Sequence, residues 1–235
     1  DGYSKGAHRN MNNNYQEKPY VRIAVLVSGG GTNLQALIDA EREGALHSGR
    51  ICLVVSDRND AYALERARIA GIESAIVVWK DCPDAHTFEQ RLHQLLEENG
   101  IDLIVLAGFM RILSPAFPSA YPRRILNIHP SLIPAFCGKG YYGLKVHEAA
   151  LARGVKLTGA TVHYVNEIPD GGEIIMQKAV AVRRNDTPET LQQRVMRMAE
   201  WKIYPPSVER VCLHILQETG GTDRTNEGEQ SDERI

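Results

Sequence analysis

An amide and an imidazole two residues apart, Asn127 and His129, are the sharpest chemical signal in this 235-residue sequence. They sit in RILNIHP (124–130), an apolar run that Pro130 stops, and a strand is predicted there. Residues two apart in a strand share a face, so Asn127 and His129 point together while Leu126 and Ile128 face the opposite layer. An amide donor beside an imidazole can hold a developing oxyanion and move a proton; a lone strand histidine otherwise reads as a satisfied core residue. Downstream, VNEIPDGGEI (165–174) places Asp170 before two glycines. A turn favours such residues on its own account, but a carboxylate meeting His129 would raise its pKa and fix its orientation. A third motif, SGGGTNLQAL (28–37), sets Gly30, Gly31, Thr32 and Asn33 between an apolar run and a helical pattern. Glycines there permit positive φ and close approach, and free N–H groups at a helix start favour a phosphate. The motif is neither GxGxxG nor a Walker loop.

The elements that must carry these motifs follow an α/β rhythm. Strands predicted at 21–28, 51–57, 75–79 and 102–108 alternate with helices at 32–44, 61–70 and 86–98, as period-2 and period-3.6 patterns dictate. This order implies a Rossmann-like, doubly wound, mainly parallel sheet that binds ligands at the carboxyl ends of its strands. Past 124–130 come a helix at 144–154 and two long alternating runs at 157–165 and 173–182, which predict an antiparallel C-terminal extension. Residues 186–218 read as helix, opened by Asp186 or Thr187 before Pro188 and broken at Pro205-Pro206, since proline removes a donor and clashes with the preceding turn.

With 43% hydrophobic residues the chain can bury one large core, so one domain over 20–217 is expected, its 20–108 half carrying the candidate phosphate loop and its 109–217 half the Asn127, His129 and Asp170 set. The polar segments 1–19 and 218–235 read as a disordered extension and tail. Lysine and arginine total 27 against 29 acidic residues, a net charge of −2, which offers no basic field for nucleic acid. No apolar run approaches membrane-spanning length and no signal segment opens the chain, so a cytoplasmic protein is expected. Cys52, Cys82, Cys137 and Cys212 lack CxxC spacing, which argues against a zinc site or a disulfide framework. Cys137 lies beside the His129 motif with no activating partner in view.

In this order and over roughly 22–206, SGGGTNLQALIDA, LAGFMRILSPAF, LNIHPSLIPAF, TGATVHYVNEIPDGG and AEWKIYP resemble the glycinamide ribonucleotide formyltransferase family. The resemblance implies formyl transfer from 10-formyltetrahydrofolate to the ribonucleotide amine, a step of purine synthesis. It makes Asn127, His129 and Asp170 the catalytic set, with His129 kept protonated by Asp170 and no metal required. It assigns the ribonucleotide phosphate to Gly30, Gly31, Thr32 and Asn33 and the ribose to Glu200; Arg197, three residues earlier on the same helix face, would then reach the phosphate. It assigns the folate to Met110, Arg111, Ile112 and Leu113, together with Asn127, Asn166, Glu167 and Asp170. The partners implied are those two small molecules, on a monomer or homodimer. Three departures stand out: Asp84-Ala85-His86 where relatives often carry an arginine for the folate's glutamate tail, a longer 137–145 loop, and one extra residue in RVMRMAE (194–200) relative to some members.

Rival readings are another 10-formyltetrahydrofolate user or a non-catalytic nucleotide-binding module. A transfer-RNA formyltransferase would want a further basic RNA-binding domain, and a formyltetrahydrofolate hydrolase an N-terminal regulatory domain. The binding module must treat Asn127, His129 and Asp170 as incidental.

Overall fold

The computed structural model describes residues 20–225, so the extension expected over 1–19 and the last ten residues lie outside it. Seven strands form one sheet in the order β3-β2-β1-β4-β5-β6-β7. They are β1 Val21–Val27, β2 Gly49–Ser56, β3 Ser74–Ile76, β4 Leu103–Leu106, β5 Ile125–His129, β6 Leu157–Tyr164 and β7 Ile174–Ala181. The first five pair in parallel, and β6 and β7 join antiparallel. This is the doubly wound sheet with an antiparallel extension that the sequence predicts. The helices are α1 Thr32–Arg42, α2 Tyr62–Ala70, α3 Ala85–Glu98, α4 Ala116–Ala120, α5 Leu144–Arg153, α6 Pro188–Val195 and α7 Trp201–Thr225.

Strand period sorts the core into two layers. On β1, Ile23, Val25 and Val27 pack with Leu34 and Leu37 of α1 and with Tyr204, Val208 and Val211 of α7. Ala24 and Leu26, one residue out of step, pack with Phe88, Leu92 and Leu96 of α3. Both faces of β1 are thus buried, which is why it reads as an unbroken apolar run. Each fully buried side chain of the size of Phe88 or Leu92 contributes about 1.5–3 kcal/mol of transfer free energy. Glu209 fastens α7 to the start of β2, its carboxylate accepting from the His47 and Ser48 backbone N–H groups at 3.0 Å and from Ser48 Oγ at 2.7 Å.

The structure corrects three expected elements. The strand predicted at 75–79 is only Ser74–Ile76, and the chain then turns through a 3₁₀ helix at Trp79–Asp81. No break occurs at Pro205-Pro206; both lie within α7. The irregularity is a π-helical turn at Met196–Glu200, immediately before Trp201 and Lys202, the residues whose carbonyls the two proline rings crowd. A π turn spans one residue more than an α turn, which would accommodate the extra residue expected in 194–200. Finally, α7 continues to Thr225, past the tail boundary expected near Glu218.

Gly159 shows how closely β6 and β7 approach. A Cβ at that position would stand 2.0 Å from the Lys178 carbonyl oxygen and 2.8 Å from Leu132 Cδ2. Gly159→Ala is expected to destabilise the protein by at least about 1–3 kcal/mol, the usual cost of overpacking. Urea unfolding monitored by circular dichroism measures it, and an unchanged midpoint would refute the tight approach.

Candidate active site

The carboxyl ends of β1, β4 and β5 open into a cleft of about 780 Å³, the location that α/β topology reserves for ligands. Asn127 and His129 project into it from β5, while Leu126 and Ile128 face the opposite layer among the α7-side core residues, as strand alternation requires. The antiparallel register sets His163 opposite Asn127 and Thr161 opposite His129. Directly opposed residues share a face, and a second histidine enters the site by this route.

Four groups converge there. His129 Nε2 lies 2.8 Å from the Phe136 carbonyl oxygen, a contact that requires an N–H on Nε2. Its Nδ1 faces Asp170 Oδ2 at 3.5 Å. His163 Nδ1 lies 2.8 Å from the Tyr164 carbonyl oxygen and therefore carries the proton, which leaves Nε2 to accept from Asn127 Nδ2 at 3.2 Å. That same Nε2 stands 3.5 Å from Asp170 Oδ1. Asp170 also accepts the Gly138 N–H at 2.8 Å. Its backbone is left-handed, with φ 56°, a conformation that aspartate tolerates better than most residues. Gly172, two residues on, has no substitute, since a Cβ there would lie 1.8 Å from the Tyr164 carbonyl oxygen.

The electrostatic balance at His129 reverses the expected one. Burial pushes its pKa below 6.5, and the opposing pull of Asp170 and the Phe136 carbonyl does not compensate. His129 is therefore neutral at rest near pH 7 and is not held protonated. Burial pushes the Asp170 carboxyl up, but the two facing imidazoles and the Gly138 N–H outweigh it and leave the group below its ordinary value. Asp170 stays ionised and favours imidazolium whenever His129 acquires a proton.

One end of the cleft is built from α1 and the π turn. Asn33 Nδ2 donates to Glu200 Oε2 at 2.7 Å, which joins residues 167 apart in sequence. Glu200 is buried, and desolvation raises its pKa to about 7 against the lowering effect of Asn33. Among the described residues Asn33 Oδ1 finds no partner. Of the glycine motif only Asn33 lines the cleft; Gly30, Gly31 and Thr32 precede it at the start of α1, where Gly31 is left-handed with φ 70° and no side chain caps the helix. A Cβ on Gly31 would stand 2.6 Å from that of Ala63, so the close approach of α1 to α2 requires glycine. Arg197 does not join this group. It is exposed on a separate groove with Lys178, Arg183 and Arg194, because the π turn rotates it away from the face it would share with Glu200 in an α-helix.

The other end is the segment Phe109–Leu113, which leaves Met110 and Ile112 exposed at 51% and 68%. Apolar side chains so exposed at a cleft suit a flat aromatic ligand. Polar anchors hold the segment. Met110 N–H donates to Ser28 Oγ at 2.9 Å, Arg111 Nε to buried Asp57 at 2.6 Å, and the Ser114 backbone N–H to buried Glu89 at 2.6 Å. Asn166 and Glu167 line the cleft beside Asp170, and Asn166 Oδ1 accepts the Ile168 N–H at 3.0 Å.

Two site histidines escape the sequence. His163 is revealed only by the β5–β6 register. His147 of α5 lies on the helix face that buries Val146 and Ala150 and lines the cleft. Among the described residues neither of its ring nitrogens finds a partner, and burial followed by repulsion from His129 brings its pKa down to about 4.

The formyl transferase family model matches residues 21–208. The chain is 44% identical over 201 residues to the human trifunctional purine biosynthetic protein adenosine-3, which covers 86% of this chain but 19% of that protein. It thus spans only about a fifth of the human relative. Phosphoribosylglycinamide formyltransferase of Haemophilus influenzae is 41% identical over 184 residues, 78% of this chain and 84% of that protein. Among solved structures, glycinamide ribonucleotide transformylase 1 of Symbiobacterium toebii superposes with a TM-score of 0.78 at 45% identity, over 83% of this chain and 89% of that one.

His147 links the cleft to stability. Its folded pKa of about 4 lies below the unfolded 6.5, so the unfolded chain binds the proton first as pH falls. The stability this histidine confers is complete above pH 6.5 and is lost as pH falls toward 4, on the order of 3 kcal/mol in all. His147→Gln is expected to flatten the fall in urea-unfolding free energy across that interval relative to the parent protein. Parallel curves for the two proteins would contradict the assignment.

Proposed function

Because the chain belongs to the formyl transferase family, whose model spans most of it, we propose that it transfers the formyl group of 10-formyltetrahydrofolate to the amine of glycinamide ribonucleotide. The observation that carries this reading is the position of Asn127, His129 and Asp170 in one cleft, between the Asn33–Glu200 end and the Met110–Leu113 end. A bisubstrate reaction needs two binding regions flanking one set of proton-handling groups. The ribonucleotide phosphate is assigned to the start of α1 at Gly30, Gly31, Thr32 and Asn33, and the ribose to Glu200. The folate is assigned to Met110–Leu113 with Asn166 and Glu167, and it brings the formyl group. The setting is a cytoplasmic step of purine synthesis; among the described residues no helix is long and apolar enough to cross a membrane.

The chemistry follows from the resting protonation states. As the substrate amine attacks the formyl carbon, Asn127 Nδ2 donates to the oxygen on which charge develops. His129, neutral at rest, accepts the proton that the amine must lose. Asp170 stabilises the resulting imidazolium, and His129 returns the proton to N10 as the carbon–nitrogen bond to the folate breaks. One proton leaves the amine and one reaches N10, so the protein is unchanged at the end.

Folate product formation measured with and without glycinamide ribonucleotide tests the reading: strict dependence supports transfer, whereas formate release without the ribonucleotide would mean hydrolysis. Asn127→Ala and His129→Ala are each expected to lower kcat by at least ~10²-fold in folded protein. Asp170→Asn removes the negative charge, so the His129 titration followed by NMR moves further below 6.5, and the acid limb of kcat/KM moves to lower pH with it. An unmoved titration would reduce Asp170 to a turn residue.

A further inference from the structure

The glycine motif offers its N–H groups because its carbonyls are held elsewhere. The Gly29 carbonyl accepts the Ala63 N–H of α2 at 3.0 Å. The Gly30 carbonyl accepts Arg66 Nε, also of α2, at 2.7 Å. The Gly31 carbonyl accepts the Gln35 N–H of α1 at 2.9 Å. These peptides are trans, and a trans peptide directs its N–H opposite to its carbonyl. Tying back three successive carbonyls therefore turns the N–H groups of Gly30, Gly31 and Thr32 away from the protein as a concave donor set, the arrangement that binds anions. Two of those ties are backbone to backbone; only the one at Gly30 rests on a side chain.

Arg66 is built for that contact. Its Nη1 donates to Gln35 Oε1 at 3.0 Å, its guanidinium lies 5.1 Å from the centre of the Tyr62 ring, and its Cδ lies 3.3 Å from where a Cβ on Gly31 would stand. The planar fork thus bridges α2, the glycine loop and α1 at fixed orientation. It also sets a permanent positive charge beside the donor set, whereas Arg197, the cation expected there, lies on another groove. We infer that Arg66 is the positioning residue of the phosphate subsite: it orients the Gly30–Gly31 peptide and supplies the fixed charge that favours a phosphate dianion. This inference rests on the ribonucleotide reading of the cleft.

The test compares the parent enzyme, Arg66→Ala and Arg66→Gln with glycinamide ribonucleotide and with its dephosphorylated riboside. For Arg66→Ala, KM for the ribonucleotide is expected to rise about 10- to 100-fold, the range for one charge-assisted contact, with kcat and the folate KM within about twofold. The riboside, lacking the phosphate, is expected to respond equally to parent and variant. Arg66→Gln, which keeps one donor for the Gly30 carbonyl, is expected to recover part of the loss, and it serves as the test if Arg66→Ala fails to fold. An unchanged ribonucleotide KM, or an equal loss with the riboside, overturns the role of Arg66 and leaves formyl transfer intact. If the parent enzyme does not turn over the ribonucleotide, the functional reading fails instead, and calorimetric titration with ribose 5-phosphate decides the inference: weaker binding to Arg66→Ala supports it, and equal binding overturns it.

Discussion

The site closes on one half-buried carboxylate. Asp170 must reach His129 on β5 and His163 on β6 at once, at 3.5 Å from each, and it does so from a loop that leaves the far end of β6. The left-handed backbone at Asp170 and the obligatory glycine at 172 are what this reach requires. The Gly138 amide, drawn to the same carboxylate, brings the 137–145 loop against the cleft. Removing the carboxylate would take away the negative charge that both histidines face and the anchor of the loop. Burial at His129 works against that charge, and the balance leaves the imidazole able to gain a proton as well as lose it.

Much of this was legible in the sequence because it depends on local rules. The alternation of β1, β4 and β5 fixed which residues face which layer, so Asn127 and His129 could be paired from spacing alone, and Gly31 could be placed at a helix start. What depends on register could not be read. His163 sits in an alternating strand whose pattern is the same whichever residue it opposes, and only the pairing with Asn127 makes it part of the site. His147 is one polar residue on an otherwise apolar helical face, a pattern that fits a core histidine equally well. The sign of the His129 shift was also out of reach, since it depends on how deeply the cleft buries the ring.

The displaced Arg197 is the more instructive miss. Inferring that Arg197 and Glu200 share a face assumed an unbroken α-helix, and the one extra residue in 194–200 was the sign that the assumption fails. The π turn keeps Glu200 buried against Asn33 and Ala199 in the core while turning Arg197 outward. The π turn thus keeps the Asn33–Glu200 contact and leaves Arg197 on the other groove. The proline pair that follows could then be carried within α7.

The sheet ends in two open edges, and they are guarded differently. At one, β3 is three residues long, too short to template another strand. At the other, β7 is eight residues long and would be a ready partner for edge-to-edge aggregation. Along it Gln177 is engaged with the Ile133 carbonyl and Thr161, while Lys178, Arg183 and the outward-turned Arg197 line the adjoining groove. An incoming strand would have to bury those charges. The outward-turned Arg197 thereby adds to the charge that pairing along β7 would bury.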